Sequence, residues 1–314
     1  MRSPLALATL PLLAATLLAQ PLHAETRVKM LYTASAPNAL AFVAQDQGFF
    51  QAHGLAVDLQ LAQNISVIVP GVFSGSAQVG LTTATVAFQA IDNGLDLRAF
   101  ATTNAFPDPS AAGLLVQPGS TIASAGDLAG QRIGVPGIGG LLDVVMRKWV
   151  LENGGDPAEI DIVEYSLPQT GDMLRAHQVD GVVTVDPFMS RALQDGAGRE
   201  AGNIMSVIPD GTAGTLFVAT ADWAGHHPEA VAAMQEALED ALAFIRDHDA
   251  ETRDSLARHT TLPPAVVAGM TLPAFSTHLD PERSLGFWNE LAQEQRLISG
   301  PVDLAKVVIP YPAD

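Results

Sequence analysis

From Glu25 onward, short runs rich in aliphatic and β-branched residues alternate with longer amphipathic ones, and this alternation constrains the fold more than any other feature. A chain ordered strand, helix, strand, helix packs its strands into parallel sheets and covers them with the connecting helices. Strands are expected at 28–32, 57–61, 79–82, 97–102 and 113–116, and again at 132–135, 161–165, 181–185 and 215–220. Helices read most clearly at 40–50, 141–153, 169–177 and 228–247. In the last of these, Val231, Met234, Leu238, Ala241 and Ile245 recur at helical spacing behind Pro228 and Glu229, which suit a first turn. Each half also carries one phrase of helix, polar turn and buried strand, Val72 to Thr83 and Leu174 to Asp186. That repetition predicts two lobes of related topology.

The N-terminus has a different character. Met1-Arg2 gives a short positive start, an apolar run extends from Leu5 to Leu18, and Leu22-His23-Ala24 precedes Glu25. The run is too short to span a bilayer and has the three parts of a secretory signal peptide, so 1–24 is expected to be removed on export, placing the mature chain in the periplasm. The absence of Cys leaves neither a lipid-anchor site nor a disulfide framework. Basic residues number 16 against 34 acidic ones, a net charge of −18, which disfavours nucleic acid and anionic membrane surfaces. An anionic ligand stays open, because a few local dipoles can hold one.

A parallel sheet presents ligands beyond the carboxyl ends of its strands. The residues there are mostly hydroxyls and amides: Ala34 to Asn38, Gln63 to Ser66, Thr82 to Thr85, Thr103 to Phe106, Pro168 to Thr170 and Asp186 to Phe188. Singly they read as helix caps or turn residues; together they suggest a pocket that orients a small polar molecule. Gly134-Val135-Pro136-Gly137-Ile138-Gly139-Gly140-Leu141 runs from a strand into a helix, where unpaired N–H groups suit an anion, although a glycine turn of purely geometric purpose reads as well. It is not a dinucleotide fingerprint, since Leu142 occupies the third glycine position. No nucleophile elbow, phosphate loop or zinc-binding helix motif occurs. His226-His227 and Asp247-His248-Asp249 read as structural, and neither a metal nor a cofactor is expected.

Five phrases in order carry a resemblance. These are Gln47-Gly48-Phe49-Phe50 with His53-Gly54-Leu55 and Val57, Pro118-Gly119-Ser120, Asp127 to Pro136, Gln178-Val179-Asp180-Gly181, and Asp186-Pro187-Phe188. Together they resemble the nitrate, sulfonate and taurine branch of ABC-importer solute-binding proteins, which shares its fold with the pyrimidine-precursor-binding NMT1/THI5-like proteins. Physically, Asp127 can cap a turn and Gly130 permits the bend before strand 132–135. Departures are Gln78 in place of the family's Asp, His177 in place of its Gly, and Ile138-Gly139-Gly140-Leu141, where sulfonate binders offer hydroxyls.

The resemblance implies an α/β, type II periplasmic-binding-protein fold. Lobe 1 is expected from 25–111 with 222–314 and lobe 2 from 112–221, with crossings near Ala111 and Ala221. It implies a monomeric binding component, not an enzyme, that captures a small organic anion, carboxylate or sulfonate, by lobe closure and delivers it to ABC importer membrane subunits. A pyrimidine precursor is the alternative ligand, and an enzyme on the same fold a weaker one. The expected contacts are Asn38, Ser66, Thr83 and Asn104 on the first lobe with Gly139, Gly140, Leu141, Asp186 and Phe188 on the second.

Overall fold

The computed structural model describes residues 25–108, 112–260 and 262–311; the expected signal segment 1–24 lies outside the described residues. The first sheet opens with β1 (Thr26–Tyr32), β2 (Leu55–Leu61), β3 (Val79–Thr83) and β4 (Leu97–Thr102). The chain then crosses into a second sheet of β5 (Ala112–Val116), β6 (Arg132–Val135), β7 (Asp161–Glu164), β8 (Gly181–Val185) and β9 (Arg199–Gly202). It returns through β10 (Thr215–Thr220). Sheet orders are β2-β1-β3-β10-β4 and β7-β6-β8-β5-β9, which are one pattern used twice, so the repeated phrase does mark two lobes of related topology.

Two expectations need correction. Strand 215–220 was assigned to the second lobe, yet it pairs antiparallel with β3 and β4 in the first. Leu216, Phe217, Val218 and Ala219 are all buried, as suits a central strand whose edges pair with β3 and β4 in a sheet covered on both faces. By sheet membership the return crossing therefore lies between Gly202 and Thr215, not near Ala221. The sheets are also mixed and not purely parallel, because β10 in one and β5 in the other are the strands that have crossed between lobes. Strand β9 carries only small and charged residues, Arg-Glu-Ala-Gly, and gives no periodic signal in sequence.

The helices are α1 (Ala39–Asp46), α2 (Phe49–Ala52), α3 (Ile68–Phe73), α4 (Ala84–Asp92), α5 (Leu141–Glu152), α6 (Thr170–Arg175), α7 (Phe188–Gln194), α8 (Ala221–His226), α9 (Pro228–Asp247), α10 (Asp249–Thr260), α11 (Pro264–Ala268), α12 (Pro281–Glu294) and α13 (Leu304–Val307). The helix expected over 40–50 is split because Gly48 turns the backbone at φ 79°, a left-handed conformation that interrupts α1 before Phe49. The anticipated face of α9 is buried at Val231, Met234, Leu238, Ala241 and Ile245 and packs on α1 and α2. Asp127 caps as expected: its Oδ2 accepts from the backbone N–H of Ala123 and of Ser124 and from the Ser124 hydroxyl. Those hydrogen bonds hold its carboxyl below the usual carboxylate range.

Helix α10 closes over α1 through a ring stack of His259 on Phe42, centroids 4.6 Å apart. Asp46 at the end of α1 lies 3.1 Å from His259 Nε2 and 3.0 Å from an Arg258 amino group. Burial would raise its carboxyl, but hydrogen bonds from His259 and Ser255 and the charges of His259 and Arg258 outweigh that and lower it. A depressed carboxyl contributes stability above its unfolded value of about 3.9 and loses it as pH falls through the folded value. Asp46→Asn is therefore expected to lower the urea midpoint at neutral pH and to reduce the further drop seen when wild type is taken below about pH 4. An equal acid-induced drop in both proteins would contradict the assignment.

Candidate functional site

The two lobes face each other at the carboxyl ends of their parallel strands and enclose a cavity of about 250 Å³. The first lobe contributes the turns after β1 and β2, with Thr33 to Ser35, Pro37 and Leu61 to Ile65, and the end of β3 at Thr83. The second contributes Pro136, Gly137 and Gly140 to Leu142 after β6, Ser166 to Pro168 after β7, and Val185 at the end of β8. The crossings complete the wall with Asn104, Phe106, Asp108 and Ala112 on one and Met205, Gly214 and Thr215 on the other. They run side by side: Phe106 N–H donates to Thr212 O at 2.8 Å, Gly211 N–H to Phe106 O at 2.7 Å, and Gly214 N–H to Asn104 O at 2.9 Å.

The cleft is shut by direct bonds between lobes. Ser66 Oγ donates to Glu164 Oε2 at 2.8 Å, Ser166 Oγ to Gln63 O at 2.7 Å, and Ala36 N–H to Asp186 O at 2.8 Å. Thr85 Oγ1 and Gln89 Nε2, both on α4, donate to Gly139 O at 2.7 and 3.1 Å. The glycine turn of the second lobe is thus a latch that offers a carbonyl to the first. Gly139 has φ 73°, a left-handed conformation that favours glycine, and a Cβ there would lie 2.7 Å from the Gln89 amide and displace the side chain that bonds this turn.

That turn has a second property bearing on ligand charge. Gly139 N–H donates to Asp143 Oδ2 at 2.8 Å, Ile138 N–H to Glu164 Oε2 at 3.1 Å, and Gly140 N–H to Gly137 O at 3.1 Å. The chain's own carboxylates fill the places an anion would take. The first-turn residues Leu141 and Leu142 lie in the cavity wall, and their N–H groups are the remaining local donors. Among the described residues no Lys, Arg or His lines the cavity; the charged lining side chain is Asp108, whose Oδ2 accepts from Asn104 Nδ2 at 2.5 Å.

Of the residues expected to touch a ligand, Thr83, Asn104, Gly140 and Leu141 line the cavity. The others do not. Asn38 is fully buried and donates to Thr33 O at 2.8 Å, tying down the turn after β1. Ser66 is engaged with Glu164 and Gly139 with α4, as described. Asp186 is fully buried with Oδ1 accepting from Ser190 N–H at 2.9 Å inside the first turn of α7, and Phe188 points into the core at 2% exposure. Sequence reasoning overlooked Asp108, Met205 and Thr215, which belong to the crossings and not to the first turn after a parallel strand. The signal available for Asp108 was the run Phe106-Pro107-Asp108, an extended proline segment directly after a strand.

Beneath the second-lobe wall, Tyr165 donates to Val183 O at 3.0 Å and meets Thr170 Oγ1 at 3.1 Å. Burial pushes its hydroxyl up to about 12, with hydrogen bonds to Thr170 and Thr184 opposing. It stays a neutral strut for β8 throughout the working pH range.

Comparison with known proteins places this geometry. No curated protein matches the chain by sequence. The structure resembles the alkanesulfonate-binding protein SsuA from Xanthomonas axonopodis pv. citri bound to MOPS, with a TM-score of 0.77, 21% identity, and coverage of 90% of this chain and 98% of that one. It resembles the periplasmic aliphatic sulphonate binding protein SsuA from Escherichia coli at TM-score 0.72 and 18% identity, covering 90% and 97%. For the periplasmic nitrate-binding protein NrtA from Synechocystis PCC 6803 the values are 0.78 and 14%, covering 90% and 86%. At these identities the likeness establishes the two-lobed α/β periplasmic-binding-protein fold, as the sequence led one to expect. The model of the NMT1/THI5-like family matches residues 37–252, well over half of the sequence, and the chain belongs to that family.

Proposed function

We propose that this protein is the exported, periplasmic substrate-binding component of an ABC importer and that it captures one small molecule by closing its lobes, without converting it. The observation that carries the reading is the cleft whose walls come from both lobes and whose rim is joined by hydrogen bonds between them. A site built from two bodies exists only when they meet, which couples occupancy to a shape that membrane subunits can recognise.

Its size suits a single-ring molecule, and Phe106, Pro136, Leu141, Leu142 and Leu167 supply apolar faces beside a few hydroxyls and amides. Of the two ligand classes that the family resemblance implied, this wall supports the pyrimidine-precursor class over the organic anion. Two like charges about 4 Å apart repel by about 4 kcal/mol at an effective dielectric of about 20, and a carboxylate or sulfonate would share the cavity with Asp108 and no cationic side chain. A thermal-shift screen of the mature protein against aminopyrimidines, aromatic carboxylates and alkanesulfonates tests this. A ligand at about 100 times its Kd adds about 2.7 kcal/mol of stability, a rise of several degrees. The expected response is to aminopyrimidines. Sulfonates or carboxylates alone raising Tm would overturn the ligand class, and no response in any class would count against capture itself.

A further inference from the structure

We propose that the ligand's polar edge is read by hydroxyls of the first lobe, Ser35, Thr83 and Thr215, and that the side chains of the second lobe form an apolar lid that adds affinity without choosing among ligands of one shape. The inference rests on the capture reading above and adds to it which residues set specificity. All three line the cavity. They come from three neighbouring strands: Ser35 follows β1, Thr83 ends β3, and Thr215 opens β10 directly opposite Thr83. The start of β10 is fixed by its backbone, Thr215 O accepting from Thr102 Oγ1 at 2.8 Å and Thr215 N–H donating to Asn104 Oδ1 at 3.3 Å.

Ser and Thr at the start of a helix ordinarily cap it. Ser35 precedes the helical turn Ala36–Asn38 and Thr83 precedes α4, both with extended backbone, yet neither side chain accepts a capping hydrogen bond. Ser35 is 7% exposed, and its hydroxyl has no hydrogen-bond partner among the described residues. Thr83 is 6% exposed; its hydroxyl meets Thr85 Oγ1 at a long 3.4 Å, and Thr85 has committed its own proton to Gly139 O at 2.7 Å. Buried hydroxyls are nearly always well hydrogen-bonded, so two left open in a cavity wall point to a partner that arrives with the ligand.

The opposite wall differs. From Pro136 to Val185 the lining residues are Pro, Gly, Leu and Val but for Ser166, whose hydroxyl donates to Gln63 O at 2.7 Å. Leu141 and Leu142 offer backbone N–H groups beside apolar side chains. Contacts with second-lobe side chains are therefore apolar, and apolar burial is non-directional. A hydroxyl both donates and accepts, so the first-lobe row suits a neutral edge that places ring nitrogens beside an amino group.

The test uses 2-aminopyrimidine and aniline, which share size and amino group and differ in the ring nitrogens. Each is titrated calorimetrically into the purified mature protein and into Ser35→Ala, Thr83→Val, Thr215→Val and Leu142→Ala, with circular dichroism and Tm as folding controls. Wild type is expected to bind 2-aminopyrimidine more tightly than aniline. The hydroxyl variants are expected to lower that preference, by about 2- to 13-fold for each neutral hydrogen bond lost. Leu142→Ala is expected to weaken both probes by one factor and keep their ratio. A ratio that none of the hydroxyl variants lowers, or that Leu142→Ala lowers as much as they do, overturns the inference and leaves capture standing, since both probes still bind. So does a wild-type protein that prefers aniline. Binding of neither probe overturns it too; whether capture also fails is then decided by whether any class in the thermal-shift screen raises Tm.

Discussion

Gly137→Val is expected to weaken ligand capture by roughly one to two orders of magnitude while leaving both lobes folded. A Cβ at Gly137 would sit 2.1 Å from Ile65 Cγ2, a side chain of the opposite lobe, where carbon atoms approach to about 3.5–4.0 Å at rest. Gly137 is not among the residues of positive φ, so valine adds no left-handed backbone strain; because Gly137 also lines the cavity, the pairing with Ile65→Ala is what isolates the clash between lobes. Overpacking of this kind costs about 1–3 kcal/mol, or roughly a 5- to 150-fold loss of affinity, since only the closed population binds. Calorimetric titration measures it, with circular dichroism and Tm as folding controls. The double variant Gly137→Val with Ile65→Ala is expected to recover most of the affinity, because the two side chains compete for one space. Wild-type affinity in Gly137→Val would show that the lobes do not need to meet there.

Trp288→Ala is expected to destabilise the protein by about 3–5 kcal/mol, a large share of the roughly 5–15 kcal/mol that holds a folded domain. Trp288 lies on α12 at 1% exposure among Leu285, Leu291 and Ala292, and its Nε1 donates to Ala213 O at 2.7 Å. Ala213 N–H in turn donates to Ser284 O at 2.9 Å, so α12 grips the return crossing immediately before Gly214 and Thr215. The C-terminal region therefore braces the cavity wall from behind. Trp288→Phe separates the two contributions: it keeps most of the ring's burial but leaves Ala213 O unpaired, at about 1–3 kcal/mol. Urea unfolding of the three proteins gives the comparison, and a Trp288→Ala midpoint within error of wild type would remove α12 from this role.

What was legible in the sequence followed from local signals. The helical spacing of Val231 to Ile245, the Asp127 cap and the strand 132–135 depend on neighbours a few residues away, and all are present. The repeated phrase also announced two similar lobes. Strand β10 and the return crossing were misplaced because sheet membership is a long-range fact: nothing within Thr215–Thr220 says which sheet has an open slot. The candidate site was half legible for the same reason. Thr83, Asn104, Gly140 and Leu141 lie where strand-end logic puts them. Asn38, Asp186 and Ser66 look identical to them in sequence, yet Asn38 Nδ2 donates to Thr33 O, Asp186 Oδ1 accepts from Ser190 N–H and Ser66 Oγ donates to Glu164. The glycine turn is the sharpest case. Composition suggested N–H groups waiting for an anion; in the fold Asp143 and Glu164 accept from two of them and the free carbonyl of Gly139 becomes the latch.

Closure on a ligand is the centre of this account, and the lack of Cys makes it directly measurable. Spin labels attached through Gln51→Cys on the first lobe and Leu151→Cys on the second, both exposed positions, report the distance between lobes by pulsed electron resonance. With a compound that raises Tm, the distribution is expected to narrow to a single distance matching this closed structure, and the same compound added to the Gly137→Val protein is expected to leave it longer and broader. A distribution that the compound does not change, and that is the same in Gly137→Val, would contradict capture by lobe closure.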